Sequence, residues 1–136
     1  MIEFTLLGKP KALKRHRSTR SGIMYDPSSK DKTDIWFKIY QFKPKRPIAG
    51  DIYLRVIFYM PRPKYHYRSG KFKHLLKSGV PINHSVKPDI DNLVKMIADI
   101  IQGKDRFILD DSQICKLEAY KEYSEIQRTK IIIQEI

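Results

Sequence analysis

The chain has 136 residues with 41% apolar content, which is typical of one domain with a single core. Its 27 Lys and Arg against 15 Asp and Glu give a formal net charge of +12, which disfavours a cationic or neutral partner and favours a polyanion. Because neither a secretory signal pattern nor an apolar run of membrane-spanning length is present, we expect a soluble cytoplasmic protein with no membrane partner.

The first half of the chain predicts a strand, a basic loop, a helix and a second strand. Residues 2–7 alternate loosely between apolar and polar and end at a Gly-Lys-Pro break, which favours a strand. Residues 9–25 are basic and lack periodicity, so we expect a loop or loose hairpin. Apolar residues then recur at helical spacing until Pro44 stops the helix, and residues 52–60 alternate strictly, as a half-buried strand does.

The second half predicts a surface excursion, an amphipathic helix and further strands. Residues 62–86 carry basic and aromatic side chains without periodicity, which indicates an excursion or flexible flap. Residues 93–101 are amphipathic at helical spacing, and Gly103 follows as a C-terminal cap. Three strand patterns follow, at residues 107–109, 113–123 and 125–136.

This order, β-α-β-α-β-β, predicts an α+β fold in which two main helices pack on one mixed β-sheet, with residues 1–136 forming a single domain. The strand order does not follow from the pattern. The single cysteine, Cys115, falls where alternation turns a side chain toward the core, so we expect a buried structural thiol.

Two acidic segments stand out in this basic chain. Pro88 disfavours helix at the residue before it, so we expect an extended entry in which Asp89 and Asp91 project to the same side. If a helix begins near Asp91, Lys95 lies one turn further on the same face. Asp111 would arrive from a turn between two strands and complete an oxygen-rich site.

Carboxylates grouped in this way favour a metal centre. Mg²⁺ prefers oxygen ligands and is usually held by one or two protein carboxylates, several waters and substrate phosphate. Acids alone would repel a polyanion, so an acidic cluster in a basic protein predicts a bound cation. Each acid also has a structural alternative: Asp91 as a helix N-cap, Asp110 and Asp111 as turn residues, and Asp99 as a solvated partner of Lys95.

The run Lys-Pro-Asp-Ile-Asp-Asn-Leu-Val-Lys at residues 87–95, with an apolar helix after it, is followed by Asp-Asp-Ser-Gln at residues 110–113 and a strand that reaches Lys121. Together these segments resemble the signature of the RusA family of Holliday junction resolvases. The resemblance implies a RusA-like fold and an endodeoxyribonuclease that cuts four-way DNA junctions in recombination and repair. It also implies Mg²⁺ or Mn²⁺ as the cofactor, no nucleotide cofactor, a homodimer that makes paired symmetric nicks, and relatives encoded by phages and prophages.

The resemblance also implies roles for individual residues. Asp89, Asp91 and Asp111 would hold the metal, and Lys95 would assist catalysis. Asp110 and Lys121 lie in the matching segments and are assigned secondary roles. The segment 65–86 is absent or shorter in some relatives, which leaves open how the junction or the dimer is contacted.

Two basic blocks predict the DNA-binding surface. The residues in them that we assign to DNA binding are Lys9, Lys11, Lys14, Arg15, Arg17, Arg20, Arg62, Lys64, Arg68, Lys71, Lys73 and Lys87; Arg55 and Lys77 also belong to the second block. His84, just before the acidic motif, is interpreted as a surface-loop histidine, with a phosphate contact or an outer-shell role as the alternatives. Two other functions stay open: a related metal nuclease acting on flaps or other branched DNA, and a non-catalytic nucleic-acid-binding module.

Overall fold

The computed structural model describes residues 1–15 and 17–136. The elements in chain order are β1 (Ile2–Leu7), β2 (Arg17–Ser18), β3 (Met24–Tyr25), α1 (Ser29–Ile39), β4 (Ile52–Pro61), α2 (Ile90–Ile101), β5 (Ile114–Ser124) and β6 (Arg128–Glu135). Short 3₁₀ turns lie at Tyr40–Phe42, Lys64–His66, Gly70–Phe72 and Asp111–Gln113. None of the helices in the described ranges is long and apolar enough to cross a membrane.

Four strands form one mixed sheet in the order β1-β6-β4-β5. β6 is antiparallel to both β1 and β4, whereas β4 and β5 run parallel. A parallel pair needs a long crossover, which here is residues 62–113 and includes α2. The predicted α+β architecture is therefore confirmed, and β2 with β3 form the loose hairpin expected within residues 9–25.

The core lies between one face of β4 and the apolar stripe of α2. Alternate β4 residues, from Ile52 to Met60, are at most 1% exposed. They belong to the same buried cluster as Leu93, Met96 and Ile100 of α2. Strict alternation in the strand and helical spacing in α2 predicted these two faces correctly, because each element is buried on one side only.

Residues 107–109 do not form the predicted strand. Ile108 makes isolated parallel bridges to Ile48 and Gln102, and Phe107 and Ile108 are fully buried. A short apolar run looks the same in the sequence whether it forms a strand or a buried connection. The apolar pattern of residues 107–109 therefore reflects burial and not strand pairing. The last strand begins at Arg128, three residues later than predicted.

Cys115 is exposed, so the prediction of a buried thiol was wrong. The pairing of β4 with β5 shifts here: Ile52 pairs with Ile114, but Tyr53 pairs with Lys116. Cys115 is the extra residue of this bulge, and its thiol donates to the backbone oxygen of Gln113 at 3.3 Å. A bulge breaks the alternation on which the prediction depended.

Candidate functional site

The acidic motif lies at the start of α2. Asp89 occupies the N-cap position, but its side chain makes no capping hydrogen bond. Asp91 lies in the first turn, where its Oδ1 accepts from the backbone nitrogen of Asn92 at 2.9 Å. Asp89 is extended, as predicted, but the helix begins at Ile90 and includes Asp91, so the prediction that the two acids share a strand face was wrong. Both side chains are exposed to solvent.

Lys95 connects α2 to the second acidic segment. It lies one helical turn after Asp91, and its Nζ is 3.7 Å from Oδ2 of Asp111 and 3.5 Å from Oδ1 of Asp99. Asp99 also pairs with Lys32 of α1 at 3.3 Å, so it is an interhelical partner and not only a solvated one. Because the Lys95 side chain is 54% exposed, its ion pairs contribute little to stability and can exchange for a ligand.

Asp111 is presented by a 3₁₀ turn that leads into β5, and not by a turn between two strands. Asp110 caps this turn: its Oδ2 accepts from the backbone nitrogen of Ser112 at 3.1 Å. Hydrogen bonds from the side chain and backbone of Ser112 lower the pKa of the Asp110 carboxyl below its ordinary value. Asp110 therefore holds the turn, and Asp111 is the acid that reaches Lys95.

Two glutamines position the Asp111 turn, and the sequence analysis assigned no role to either. Gln113 Oε1 accepts from the backbone nitrogens of Leu109 and Asp110 at 2.8 and 2.9 Å, and its Nε2 donates to the backbone oxygens of Ile48 and Gly50, both at 2.8 Å. Gln102 Oε1 accepts from the backbone nitrogen of Asp111 at 2.9 Å. The signal for Gln113 was its three-residue spacing from Asp110, which is typical of a capping box.

Replacing Gln113 with Ala should lower the free energy of unfolding by about 2–4 kcal/mol, because four hydrogen bonds, two of them part-buried, are lost together. Urea denaturation followed by circular dichroism measures this change. Gln134→Ala on β6 is the matched control, since that side chain is exposed and has no hydrogen bond within the described ranges. Equal effects of the two substitutions would contradict the positioning role.

Lys121 holds the chain that enters the acidic motif. Its Nζ donates to the backbone oxygens of Val86 and Pro88, both at 2.6 Å. The lysine thus ties β5 to the residues immediately before Asp89. We interpret its secondary role as positioning the motif.

The first basic block lies beside the start of α2. The backbone nitrogen of Leu13 donates to the backbone oxygen of Asn92 at 3.0 Å, which places the loop against the first helical turn. Every described member of this block is exposed: Lys9, Lys11, Lys14, Arg15, Arg17 and Arg20. Among the residues of the second block assigned to DNA binding, Arg62 is half-buried, and the others, Lys64, Arg68, Lys71, Lys73 and Lys87, are exposed.

The proposed metal ligands match Mg²⁺ in donor type but are not assembled around one point. Within residues 1–15 and 17–136, no three His, Cys, Asp or Glu side chains are close enough together to hold a metal ion. The structure brings Asp111 to Lys95, and it leaves Asp89 and Asp91 as exposed carboxylates at the helix start. Because Mg²⁺ commonly takes only one or two carboxylates and completes its shell with water and phosphate, this donor set suits it.

His84 is buried, so its interpretation as a surface-loop residue was wrong. Its backbone nitrogen donates to the oxygen of Lys121 at 2.9 Å, and its ring packs on Tyr123 with 4.8 Å between centroids. The segment around His84 thereby covers part of the outer edge of β5. Burial, together with the positive charges of Lys121 and Lys9, lowers the pKa of His84 below its ordinary value.

This lowered pKa predicts a loss of stability on mild acidification. Between the folded-state pKa and the ordinary value of 6.5, the unfolded chain binds the proton more readily. The contribution of His84 is therefore fully present above about pH 6.5 and decreases as the pH falls through that window. Thermal unfolding at stepped pH should show a smaller decrease for His84→Gln than for the unaltered chain. As a control, His74→Gln, at an exposed histidine, should lose as much stability on acidification as the unaltered chain. If His84→Gln loses as much stability as these two proteins, His84 is not the source of the pH dependence.

Two comparisons with known proteins gave matches. Residues 8–134 match the sequence model of the family described as endodeoxyribonuclease RusA. The chain is also 35% identical over 144 residues to the uncharacterized protein YqaN of Bacillus subtilis (strain 168), an alignment that covers 99% of this chain and 96% of the relative. The first match covers the basic loop, the acidic motif and the Asp111 turn.

Proposed function

Since the chain belongs to the RusA family of endodeoxyribonucleases, which act on branched DNA junctions, we propose that it is a Mg²⁺-dependent resolvase that cuts Holliday junctions by paired symmetric nicks. The proposal places this activity in the cytoplasm, in DNA recombination and repair, with Mn²⁺ as a substitute cation. It extends the family assignment to a metal, a cleavage pattern and individual residue roles.

One observation carries the proposal. Two exposed carboxylates, of which Asp89 occupies an N-cap without capping, lie at the start of α2, and Lys95 on the next turn reaches Asp111. The basic loop packs against that same helix start through Leu13 and Asn92. Uncompensated acids beside a DNA-binding loop are unfavourable unless a cation lies between the acids and the phosphates.

The residues divide into three roles. Asp89, Asp91 and Asp111 would hold the cation, which when bound would polarise the scissile phosphate and lower the pKa of an attacking water. The ammonium of Lys95 contacts the phosphate and offsets the negative charge that grows in the transition state. Asp110, Gln102 and Gln113 hold the Asp111 turn in place, and Lys121 holds the entry to α2.

We infer a homodimer from the symmetry of the substrate. A four-way junction needs two cuts on like strands, and one small site cannot make both at once. A two-fold symmetric dimer presents two equivalent sites to the junction. Sedimentation at micromolar concentration should show a dimer, and a monomer that retains paired cleavage would contradict this part of the proposal.

Incubation of a labelled synthetic four-way junction with Mg²⁺ or with EDTA tests the activity. Paired symmetric nicks that require the metal support the proposal. Cuts mainly in flap substrates would instead indicate a related nuclease for other branched DNA. Shifted but uncut DNA, with Mg²⁺ present, would indicate a non-catalytic binding module.

A further inference from the structure

A basic cleft lies next to the acidic motif, at the end of β4. Its volume is about 310 Å³, and the side chains of Lys9, Arg62, His84 and Lys87 line it together with Tyr123. Its remaining lining residues are apolar or proline, so no acid faces the cleft within the described ranges. Pro88, the residue before Asp89, also lines the cleft. A cleft with three cations and no acid favours an anionic ligand.

His84 supplies the specific evidence for a ligand. The residue is only 7% exposed, and its buried Nδ1 has no hydrogen-bond partner among the described residues. Buried polar atoms in folded proteins are nearly always hydrogen-bonded, so an unpartnered one at a cleft indicates a missing partner. His84 is also one of the residues that line the cleft.

The other groups are held in place before any ligand arrives. The Arg62 guanidinium lies 5.3 Å from the centroid of the Tyr123 ring, and its Nη1 donates to the backbone oxygen of Pro81 at 2.8 Å and lies 3.4 Å from Nδ1 of His66. The ring of His84 packs on the same tyrosine. Tyr123 thus positions both an imidazole and a guanidinium at one cleft, and the exposed Lys9 of the basic loop also lines it.

We propose that this cleft is a subsite for a DNA backbone phosphate adjacent to the one that is cut, with His84, Lys9 and Arg62 as its ligands. Lys87 and Pro88 line the cleft and lead into Asp89, so a phosphate held there sets the position of the next one over the acidic motif. That the ligand is DNA rests on the proposed function. It adds His84, which lies outside the acidic motif and both basic blocks, to the DNA-binding residues.

Nuclear magnetic resonance of the imidazole protons tests the subsite without cleavage. The chain has four histidines, and loss of one signal in His84→Gln assigns the His84 resonance. Adding a four-way junction in EDTA should shift that resonance, and Lys9→Gln should reduce the shift. An unmoved His84 signal under conditions where the junction is bound would overturn the subsite, as would a shift produced by inorganic phosphate and not by DNA.

Binding affinities provide an independent test. Lys9→Gln should weaken junction binding about tenfold, as loss of one charge-assisted phosphate contact does, whereas Lys104→Gln, beyond the other end of α2, should not. If Lys9 and His84 share a phosphate, Lys9→Gln combined with His84→Gln should lose less than the product of the single losses. Multiplicative losses would overturn the shared site. Binding in EDTA and cleavage in Mg²⁺ are separate readouts, so failure of the nuclease proposal is distinguishable from failure of the subsite.

Discussion

Replacing Asp91 with Asn is expected to lower the rate of junction cleavage by at least about 100-fold and to leave junction binding at least as tight, because one acid that repels the DNA is removed. Asp91 is exposed, and its one hydrogen bond within the described ranges, from the backbone of Asn92, can be accepted equally by the amide oxygen of Asn. The substitution therefore removes a negative charge, and with it a proposed metal ligand, without removing packing. Single-turnover cleavage with Mg²⁺ measures the rate, and fluorescence anisotropy in EDTA measures the binding.

Asp105→Asn is the matched control for this experiment. Asp105 is equally exposed, lies beyond the C-terminal end of α2, and has no ion pair within the described part of the chain. It should cut at the rate of the unaltered chain. Normal cutting by Asp91→Asn would reject its assignment as a ligand, and a similar loss in both variants would indicate that net charge, and not position, controls the rate.

The elements with two unlike faces could be predicted from the sequence. β4 alternates and α2 is amphipathic because one side of each meets the core and the other meets solvent or a neighbouring strand. The strand order could not be predicted, since pairing β4 with β5 joins residues as distant as Ile52 and Ile114. Such pairing depends on how the whole sheet packs, and the spacing of apolar residues within one segment does not show which strand the segment pairs with.

Single positions were predicted less well, for the same reason. Helical spacing correctly placed Lys95 one turn after Asp91, and the helix begins at Ile90, one residue before the start near Asp91 that was considered. The exposure of Cys115 depends on a bulge, and the burial of His84 depends on a neighbouring segment that covers the edge of β5. Shared binding of one cation by the three acids stays a prediction.

Changing four of the six cations of the first basic block should weaken junction binding and flatten its dependence on salt. The four are Lys9, Lys11, Lys14 and Arg15, each replaced by Gln. All are exposed, and none takes part in an ion pair within the described ranges, so their charges are available to phosphates. The loop should keep its place, because its contact with α2 is made by the backbone of Leu13.

The expected size follows from counterion release. If each side chain neutralises one phosphate, the slope of log affinity against log salt should decrease by about 3.6, so the unaltered chain should lose about 100-fold more affinity than the variant between about 50 and 200 mM salt. The control variant removes the same charge from exposed positions outside both basic blocks. It replaces Lys45, Arg46, Lys104 and Lys116 with Gln. Anisotropy titrations at stepped salt compare the two variants. If the control flattens the slope as much as the loop variant does, overall charge, and not a loop positioned against the acidic motif, governs binding.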